Sequence, residues 1–590
     1  MHLHAHSRDV RSLSGTWSAV PDQYEQFGER GAFGGNRVFD PAAADPPVDA
    51  DVDEGYEVAV PGCWNEELPG FEQYEGAMWY ATRFGWDGRS GRAFLRFGAV
   101  NYRADVYLNG AKLGSHEGGF TPFAFEVTDV LEPREDNLLV VRVDNDRADR
   151  KLPAERTDWF NFGGITREVE LVAVPDRFVR NVKFEAAREG DAFAASVRAW
   201  VDDPTAAEGD GADTDRPEAT LPALDRSWTL DPAEPWEATP HVGADEVASG
   251  RVYEGSVEVP ADEVDVWSPE EPDLYDLRVE TGADAVAERV GFRTVAVEGS
   301  DVLVNGDPVE LRGVSLHEEA DGRGRSLRAV DRRERFEWLA DLNCNFARLA
   351  HYPHHPAMAR RADEEGVLLW EEVPAYWWVD FDDPAVRANH RQQLRELVQR
   401  DWNRPSVVLW SVANETDASE TARNEALPEA VDHVSELDDT RLVTAACFVD
   451  ETEAGDLVPS DPLAAHLDVF GVNQYYGWYE GEAGDFARLD DDPSGPPIVV
   501  SEFGAGAKRG NAGPADERWT EQHQAALYRE QLAVLDDLDQ VCGQSPWILF
   551  DFRSPRRQNA LQRGYNLKGL RDASGEKKRA FGVVRRHYRE

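Results

Sequence analysis

The chain has 590 residues, 41% hydrophobic and 10% aromatic, which is too long for one domain and suits two to four. Its 113 acidic residues outweigh 62 basic ones for a formal charge of −51, yet eighteen tryptophans and periodic apolar segments exclude a disordered acidic chain. Four scattered cysteines without a C-x-x-C pair indicate neither a zinc site nor a disulfide framework. No secretory signal and no run of 18 apolar residues are visible, so a cytoplasmic enzyme without a membrane partner is the expectation.

Residues from about 10 to 175 read as antiparallel β-structure. Phe94-Leu95-Arg96-Phe97 and Asp105-Val106-Tyr107-Leu108 suit half-buried strands, and Asn109-Gly110 supplies a hairpin turn because both residues tolerate positive φ. Phe123–Val127 and Leu138–Val143 continue the pattern without helical periodicity, which predicts a β-sandwich. Residues 176–297 predict a second, smaller sandwich, with strands at Ala195–Val201 and Arg293–Val297. The Asp-, Gly- and Pro-rich stretch 202–222 is expected to be a solvated loop or insertion.

From about residue 298 the period changes. Eight short apolar runs, at 311–316, 346–350, 368–373, 407–414, 442–447, 468–475, 497–503 and 545–552, alternate with helical stripes. Examples of the stripes are Phe336, Leu339 and Ala340; Leu394, Leu397 and Val398; and Tyr528, Leu532 and Leu535. Eight β/α units over residues 298–590 predict a (β/α)8 barrel, whose active site sits at the C-terminal ends of its strands. Glu415 closes the fourth run and Glu502 the seventh. Two poorly solvated carboxyls facing one cavity are the equipment for splitting a glycosidic bond. No metal cluster, phosphate loop or basic aromatic patch accompanies them, so neither a cofactor nor a nucleic-acid partner is expected.

Several strings, in one order along nearly the whole chain, resemble glycoside hydrolase family 2 and its β-glucuronidase branch. They are Asn161-Phe162-Gly163-Gly164-Ile165-Thr166-Arg167, Leu311-Arg312-Gly313-Val314-Ser315-Leu316-His317, Arg348-Leu349-Ala350-His351-Tyr352-Pro353, Trp410-Ser411-Val412-Ala413-Asn414-Glu415, Asn473-Gln474-Tyr475-Tyr476-Gly477-Trp478-Tyr479 and Ser501-Glu502-Phe503-Gly504. The resemblance implies a jelly-roll β-sandwich over 1–175, an immunoglobulin-like β-sandwich over 176–297 and a catalytic barrel over 298–590. It implies retaining chemistry, with Glu415 as general acid/base and Glu502 as nucleophile, their carboxyls about 5 Å apart. It further implies that Asn414 bonds the sugar 2-hydroxyl, that Arg348 and Tyr475 attend the nucleophile, that His317, His351 and Trp547 line the pocket, and that Asp158 reaches in from the sandwich.

The choice of sugar turns on Tyr565-Asn566-Leu567-Lys568-Gly569. In β-glucuronidases an N-x-K string at this place binds the C6 carboxylate, and an ammonium and an amide on one loop can both donate to one carboxylate. Two segments depart from the pattern. The basic run Arg553-Ser554-Pro555-Arg556-Arg557 is added, and Asp572–Glu576 replaces a threonine- and arginine-rich string. A β-galacturonidase or β-galactosidase of the same family therefore stays open as the alternative, with a non-catalytic glycan-binding protein more distant. The expected partner is a carbohydrate, a β-glycoside or an oligosaccharide, and the chain is monomeric or a homo-oligomer. Only about 35 residues separate Pro374 from Val407, so an open site is expected, with Trp377 and Trp378 placed to stack sugar rings or to join the core.

The charge predicts salt adaptation. Only seven basic residues are lysines, and the acid excess is spread along the chain. At about 1 M salt the Debye length is ~3 Å, so self-repulsion is screened while an acidic surface stays hydrated.

Overall fold

A computed structural model describes residues 2–23, 52–88, 91–133, 136–203, 215–237, 249–452, 456–489 and 495–589. The first domain is two antiparallel sheets. One has four strands in the order Val10–Ser12, Val169–Val174, Arg92–Phe97, Phe123–Glu126. The other has six, in the order Tyr56–Val60, Gly15–Asp22, Ala77–Phe84, Asn137–Asp144, Arg103–Leu108, Ala111–Glu117. Alternate residues of both sheets point inward to one core that includes Trp17, Phe97, Val106 and Val141. The predicted hairpin is present, with Asn109 at φ 48° and Gly110 at φ 89°.

The second domain packs two four-stranded sheets around a core that includes Val197, Leu221, Leu277 and Phe292. Part of the stretch expected as loop is a strand here. Glu218–Leu221 pairs with Tyr275–Glu280 because Ala219 and Leu221 are needed to fill that core; residues 204–214 lie outside the described residues. The strand expected at Arg293–Val297 belongs elsewhere as well. Val295–Glu298 forms a three-stranded sheet with Asp301–Val304 and Asp307–Pro308. Val302 and Val304 pack with Leu311, Phe346 and Trp370 into the N-terminal mouth of the barrel, so this hairpin is the barrel's floor. The boundary expected at 297/298 therefore falls inside one small sheet.

The third domain is a parallel barrel. Its first strand is split into Leu311–Arg312 and Ser315–Leu316; the first piece pairs with the last strand and the second with strand two, which closes the ring. Strands two to seven are Phe346–Leu349, Leu368–Glu372, Val407–Asn414, Leu442–Cys447, Val469–Asn473 and Ile498–Glu502. The eighth is Val541–Gln544, not the expected 545–552. Cys542 and Gly543 make the true strand look weak in sequence, whereas Trp547, Ile548, Leu549 and Phe550 form an apolar run that is buried beyond the strand's end. Of the predicted stripe on helix Ala329–Leu342, Phe336 and Leu339 are buried and Ala340 faces solvent, with Trp338 turned inward instead.

The first sandwich is docked on the barrel mouth. Arg167, buried, donates to Glu318 Oε2 and to the Pro353 carbonyl, both at 2.8 Å. Phe120 stacks on Tyr352 at 4.4 Å and Trp159 packs edge-on against Tyr376 at 4.9 Å. Each large side chain buried in this way contributes about 1.5–3 kcal/mol, and together they hold the loop that carries Asp158 over the barrel.

Candidate active site

Strand four, Val407–Asn414, is buried along its whole length. A parallel strand covered on both faces must be, which is why it opens on the apolar run Val407-Val408-Leu409-Trp410. Glu415 leaves its end with φ 50°, and Trp377, in the loop after strand three, has φ 56°. Side chains other than glycine hold this left-handed region at a cost of about 1–3 kcal/mol, and such positions gather at functional sites. The two are joined: the Trp377 indole N–H donates to Glu415 Oε2 at 2.6 Å. Asn473, at the end of strand six, donates to Glu415 Oε1 at 2.8 Å. Burial, reinforced by the negative charge of Glu502, pushes the Glu415 carboxyl up to about 7 against these two neutral donors.

Glu502 ends strand seven in a different setting. Arg348 Nη1 donates to its Oε1 at 2.9 Å and the Tyr475 hydroxyl to its Oε2 at 2.7 Å. Arg348 is fully buried and is itself aimed by Glu372, which accepts its Nε at 3.2 Å and its Nη2 at 3.1 Å. Glu372 is fixed in turn by the Trp370 indole at 2.9 Å and by His351 Nδ1 at 2.8 Å. Burial alone would lower the Arg348 pKa; the flanking carboxylates Glu372 and Glu502 hold it above its ordinary value, so the guanidinium stays charged.

Both carboxyls line one cavity of about 930 Å³. Asp158, His351, Tyr475, Trp547 and Lys568 share its wall. Four other expected site residues stand behind the wall. Arg348 acts through Glu502. Asn414 accepts from Arg348 Nη2 at 2.5 Å and Asn473 Nδ2 at 3.1 Å, which leaves its own buried Nδ2 without a partner. Asn566 donates to Asp158 Oδ2 at 3.1 Å and accepts the Lys568 backbone N–H at 3.1 Å, so it shapes the loop instead of facing the cavity. His317 is a correction: it is buried between Trp547 and Phe552 with Nδ1 bonded to the Tyr352 hydroxyl at 3.1 Å, and burial drives its pKa well down.

Sequence reasoning missed Arg557, Tyr479, Asn473 and Glu372. Arg557 Nε lies 2.9 Å from Asp158 Oδ1, and its Nη2 donates to Oδ2, so the two side chains form a fork. Its Nη1 donates to the Tyr479 hydroxyl at 3.1 Å, and Lys568 Nζ donates to the same hydroxyl at 2.6 Å. Burial raises the Tyr479 phenol, but the charges of Lys568 and Arg557 outweigh it and bring the pKa below its ordinary value. This corner of the cavity is therefore electropositive in a strongly acidic protein. Signals existed: Asn473 and Tyr479 bracket a quoted string, and Arg557 lies in the added basic run. Among the described residues, side chains spaced to share a metal ion occur at His4, His6 and Glu288 and at Glu185, Asp438 and Asp439, both outside this cavity.

Three family descriptions match the chain in order. "Glycosyl hydrolases family 2, sugar binding domain" covers residues 11–175, "Glycosyl hydrolases family 2" covers 224–293, and "Glycosyl hydrolases family 2, TIM barrel domain" covers 295–589. The chain is 27% identical to a β-glucuronidase of Paenibacillus borealis, over 99% of this chain and 97% of the relative. It is 26% identical to the human β-glucuronidase, over 99% and 91%. Among solved structures it is similar to the Ruminococcus gnavus β-glucuronidase in complex with D-glucaro-d-lactam, with a TM-score of 0.81, 25% identity and 100% and 99% of the two chains covered. Its fold is also that of a β-galacturonidase from Eisenbergiella tayi bound to galacturonate, with a TM-score of 0.81, 24% identity and 100% and 98% covered.

Proposed function

The chain belongs to glycoside hydrolase family 2, and from that premise we propose that it is a retaining, exo-acting β-glycosidase that hydrolyses terminal β-D-glucuronides. The carrying observation is the unequal environment of two carboxyls on one cavity. Glu415 has neutral donors and a pKa of about 7; Glu502 has an arginine and a phenol directed at its oxygens. Environments that push two carboxyls apart assign the acid and the nucleophile.

In the first step the Glu415 proton passes to the glycosidic oxygen while Glu502 attacks the anomeric carbon, so the leaving group departs as an alcohol and a glycosyl-enzyme forms. Esterification removes the charge of Glu502, which is the second cause of the high Glu415 pKa. Glu415 then becomes the stronger acid and rests as a carboxylate, the form needed to take a proton from water in the second step. Water attacks the anomeric carbon, Glu502 leaves, and both groups return to their starting states. Asn414 stands directly behind the pair, where its Oδ1 accepts from Arg348 and its buried Nδ2 has no partner.

Support for a uronic acid comes from Lys568 and Arg557, whose cationic groups converge on the Tyr479 hydroxyl inside the cavity. Asp158 offsets the Arg557 charge, so Lys568 carries the net positive charge of this corner, and a C6 carboxylate is the sugar substituent that matches it. Chromogenic β-glucuronide, β-galacturonide and β-galactoside substrates assayed in high salt test this. The glucuronide is expected to be turned over best, and Lys568→Ala to lower its kcat/KM by about 10- to 100-fold, the value of a charged hydrogen bond, with little effect on the galactoside. A variant that loses the galactoside and keeps the glucuronide rejects the reading.

We further propose that the enzyme works at molar salt. Three of the seven lysines, Lys183, Lys568 and Lys578, are buried, which leaves four to share a surface dominated by carboxylates. A glucuronide is an anion approaching a chain of formal charge −51. At about 0.1 M salt the repulsion reaches ~10 Å, and at about 1 M only ~3 Å, while the partly buried Lys568 contact is screened much less. Hence kcat/KM for an aryl glucuronide is expected to rise with salt into the molar range. A steady fall with an unchanged circular dichroism spectrum counts against it.

A further inference from the structure

We propose that the leaving-group side of the site is a built subsite for a neutral sugar chain, with Trp378 as its stacking platform, so that the substrate is an oligosaccharide capped by a glucuronide; the identity of the cap rests on the reading above, and the subsite does not.

Glu415 protonates the leaving oxygen, so the space beyond Glu415 receives the leaving group. The cavity of about 930 Å³ is near the top of the roughly 300–1,000 Å³ that ligand sites span. One sugar held among Glu502, Trp547 and Lys568 leaves the part lined by Asp417, Ser419, Phe448 and Ser460 unfilled. A second cavity of about 400 Å³ adjoins it and shares Trp377, Trp378, Thr416 and Asp417 as a common wall. The two form one path that starts at the acid/base.

Exposure marks the same path. Trp378 is 54% exposed and Phe448 53%, two of the five large apolar side chains left exposed among the described residues. Both border the cavity. Exposed aromatic rings clustered at an opening mark a binding surface, and a ring with polar edges, such as a pyranose, covers them without losing its hydroxyl contacts. Arg156 lies 5.3 Å from the Trp378 ring and helps to hold its orientation.

Charge selects the sugar. The second cavity carries Asp149, Asp380, Asp382, Asp417 and Glu420 against Arg156 and Arg423. Arg423 is already committed to both Asp461 oxygens at 2.6 Å. In molar salt only direct contacts count, and this wall offers carboxylate acceptors to hydroxyl groups while its Arg423 is not available to pair with a second uronic acid, so the leaving group is a neutral sugar chain.

The test compares methyl β-glucuronide with a disaccharide and a trisaccharide in which the same β-glucuronosyl group caps one or two neutral hexoses, all in molar salt. The disaccharide and trisaccharide share the same leaving sugar hydroxyl, so the difference between them reports binding, and the Trp378 variants are compared with wild type on each substrate. Efficiency is expected to rise with chain length. Trp378→Ala is expected to lower the trisaccharide-to-methyl ratio by about 3- to 10-fold, one lost ring contact, and Trp378→Phe to restore most of it. Equal efficiency across the series overturns the subsite, as does a Trp378→Ala variant that lowers all three substrates alike. A better trisaccharide with a uronic acid next to the cap overturns the neutral chain. Turnover of galactosyl-capped analogues alone rejects the glucuronide cap and leaves the length dependence to be read on those analogues.

Discussion

Glu502→Gln lowers kcat for an aryl β-glucuronide by about 10⁴-fold or more, the scale on which a lost nucleophile acts. The amide keeps the size of the side chain and can still accept from Tyr475, so the fold and the cavity are expected to stay intact. What disappears is the charge that attacks the anomeric carbon. The change also has a signature at a distance. The Glu502 charge helps to raise the Glu415 pKa, so the variant lowers it, and whatever residual hydrolysis remains loses its alkaline limb at a lower pH than wild type. Burial stays the larger cause, so the shift is partial. In Glu502→Ala, which vacates that side, added azide is small enough to enter, rescues turnover and gives the α-glycosyl azide. Wild-type enzyme trapped with a 2-fluoro glucuronide carries the sugar on the peptide containing Glu502. A variant that turns over close to the wild-type rate, or a label on another peptide, removes Glu502 from this role.

The ends of strands four and seven were legible because chemistry and packing coincide there. A buried parallel strand must be apolar on both faces, so a glutamate directly after Val407–Asn414 breaks a pattern in a way that a surface glutamate does not. The eighth strand was not legible for the opposite reason. Val541–Gln544 is short and contains Gly543, whereas the run that follows it is apolar because it packs beneath the cavity with Trp547 and Phe550. Apolar content reports burial, not pairing, and the two separate at this point. The same distinction misplaced Val295–Glu298, whose alternation fits a sandwich strand as well as the floor of a barrel.

Roles that depend on direction were harder to read than positions. His317 lies at the end of strand one, the correct end of the barrel, yet its ring turns into an aromatic cluster. Asn566 sits two residues from Lys568 on one loop, yet its amide is drawn to Asp158. What draws it there is the Asp158 carboxylate, which the Arg557 guanidinium also holds. Spacing along the chain could place the ammonium, but the second cation arrives from a different loop and no period connects the two. The nucleophile's support shows the same limit. Glu372 reaches it through Arg348 and His351, contacts that the sequence marks with nothing more than an acidic residue at a strand end.

Glu415→Gln separates the two halves of the reaction. For methyl β-glucuronide, whose leaving oxygen needs a proton, kcat/KM falls by about 10²–10⁴-fold, the contribution of a positioned general acid. For a dinitrophenyl glucuronide, whose leaving group departs unprotonated, the first step is nearly spared and the glycosyl-enzyme accumulates as a burst. Azide then restores turnover and yields the β-glycosyl azide, the opposite anomer from that of the Glu502 variant. The pH profile follows from the same proton. Glu415 is protonated below about 7 and ionised above it, because burial and the Glu502 charge raise its pKa. Wild-type kcat/KM for methyl β-glucuronide is therefore full on the acid side of that value and lost as pH rises through it, and Glu415→Gln removes this limb. Trp377→Phe deletes the indole donor to Glu415 Oε2, a hydrogen bond that favours the carboxylate, so the limb moves to higher pH while the catalytic carboxyls remain. If the alkaline limb survives in Glu415→Gln, or if Trp377→Phe shifts it to lower pH, the titrating acid is a different group and the assignment of Glu415 fails.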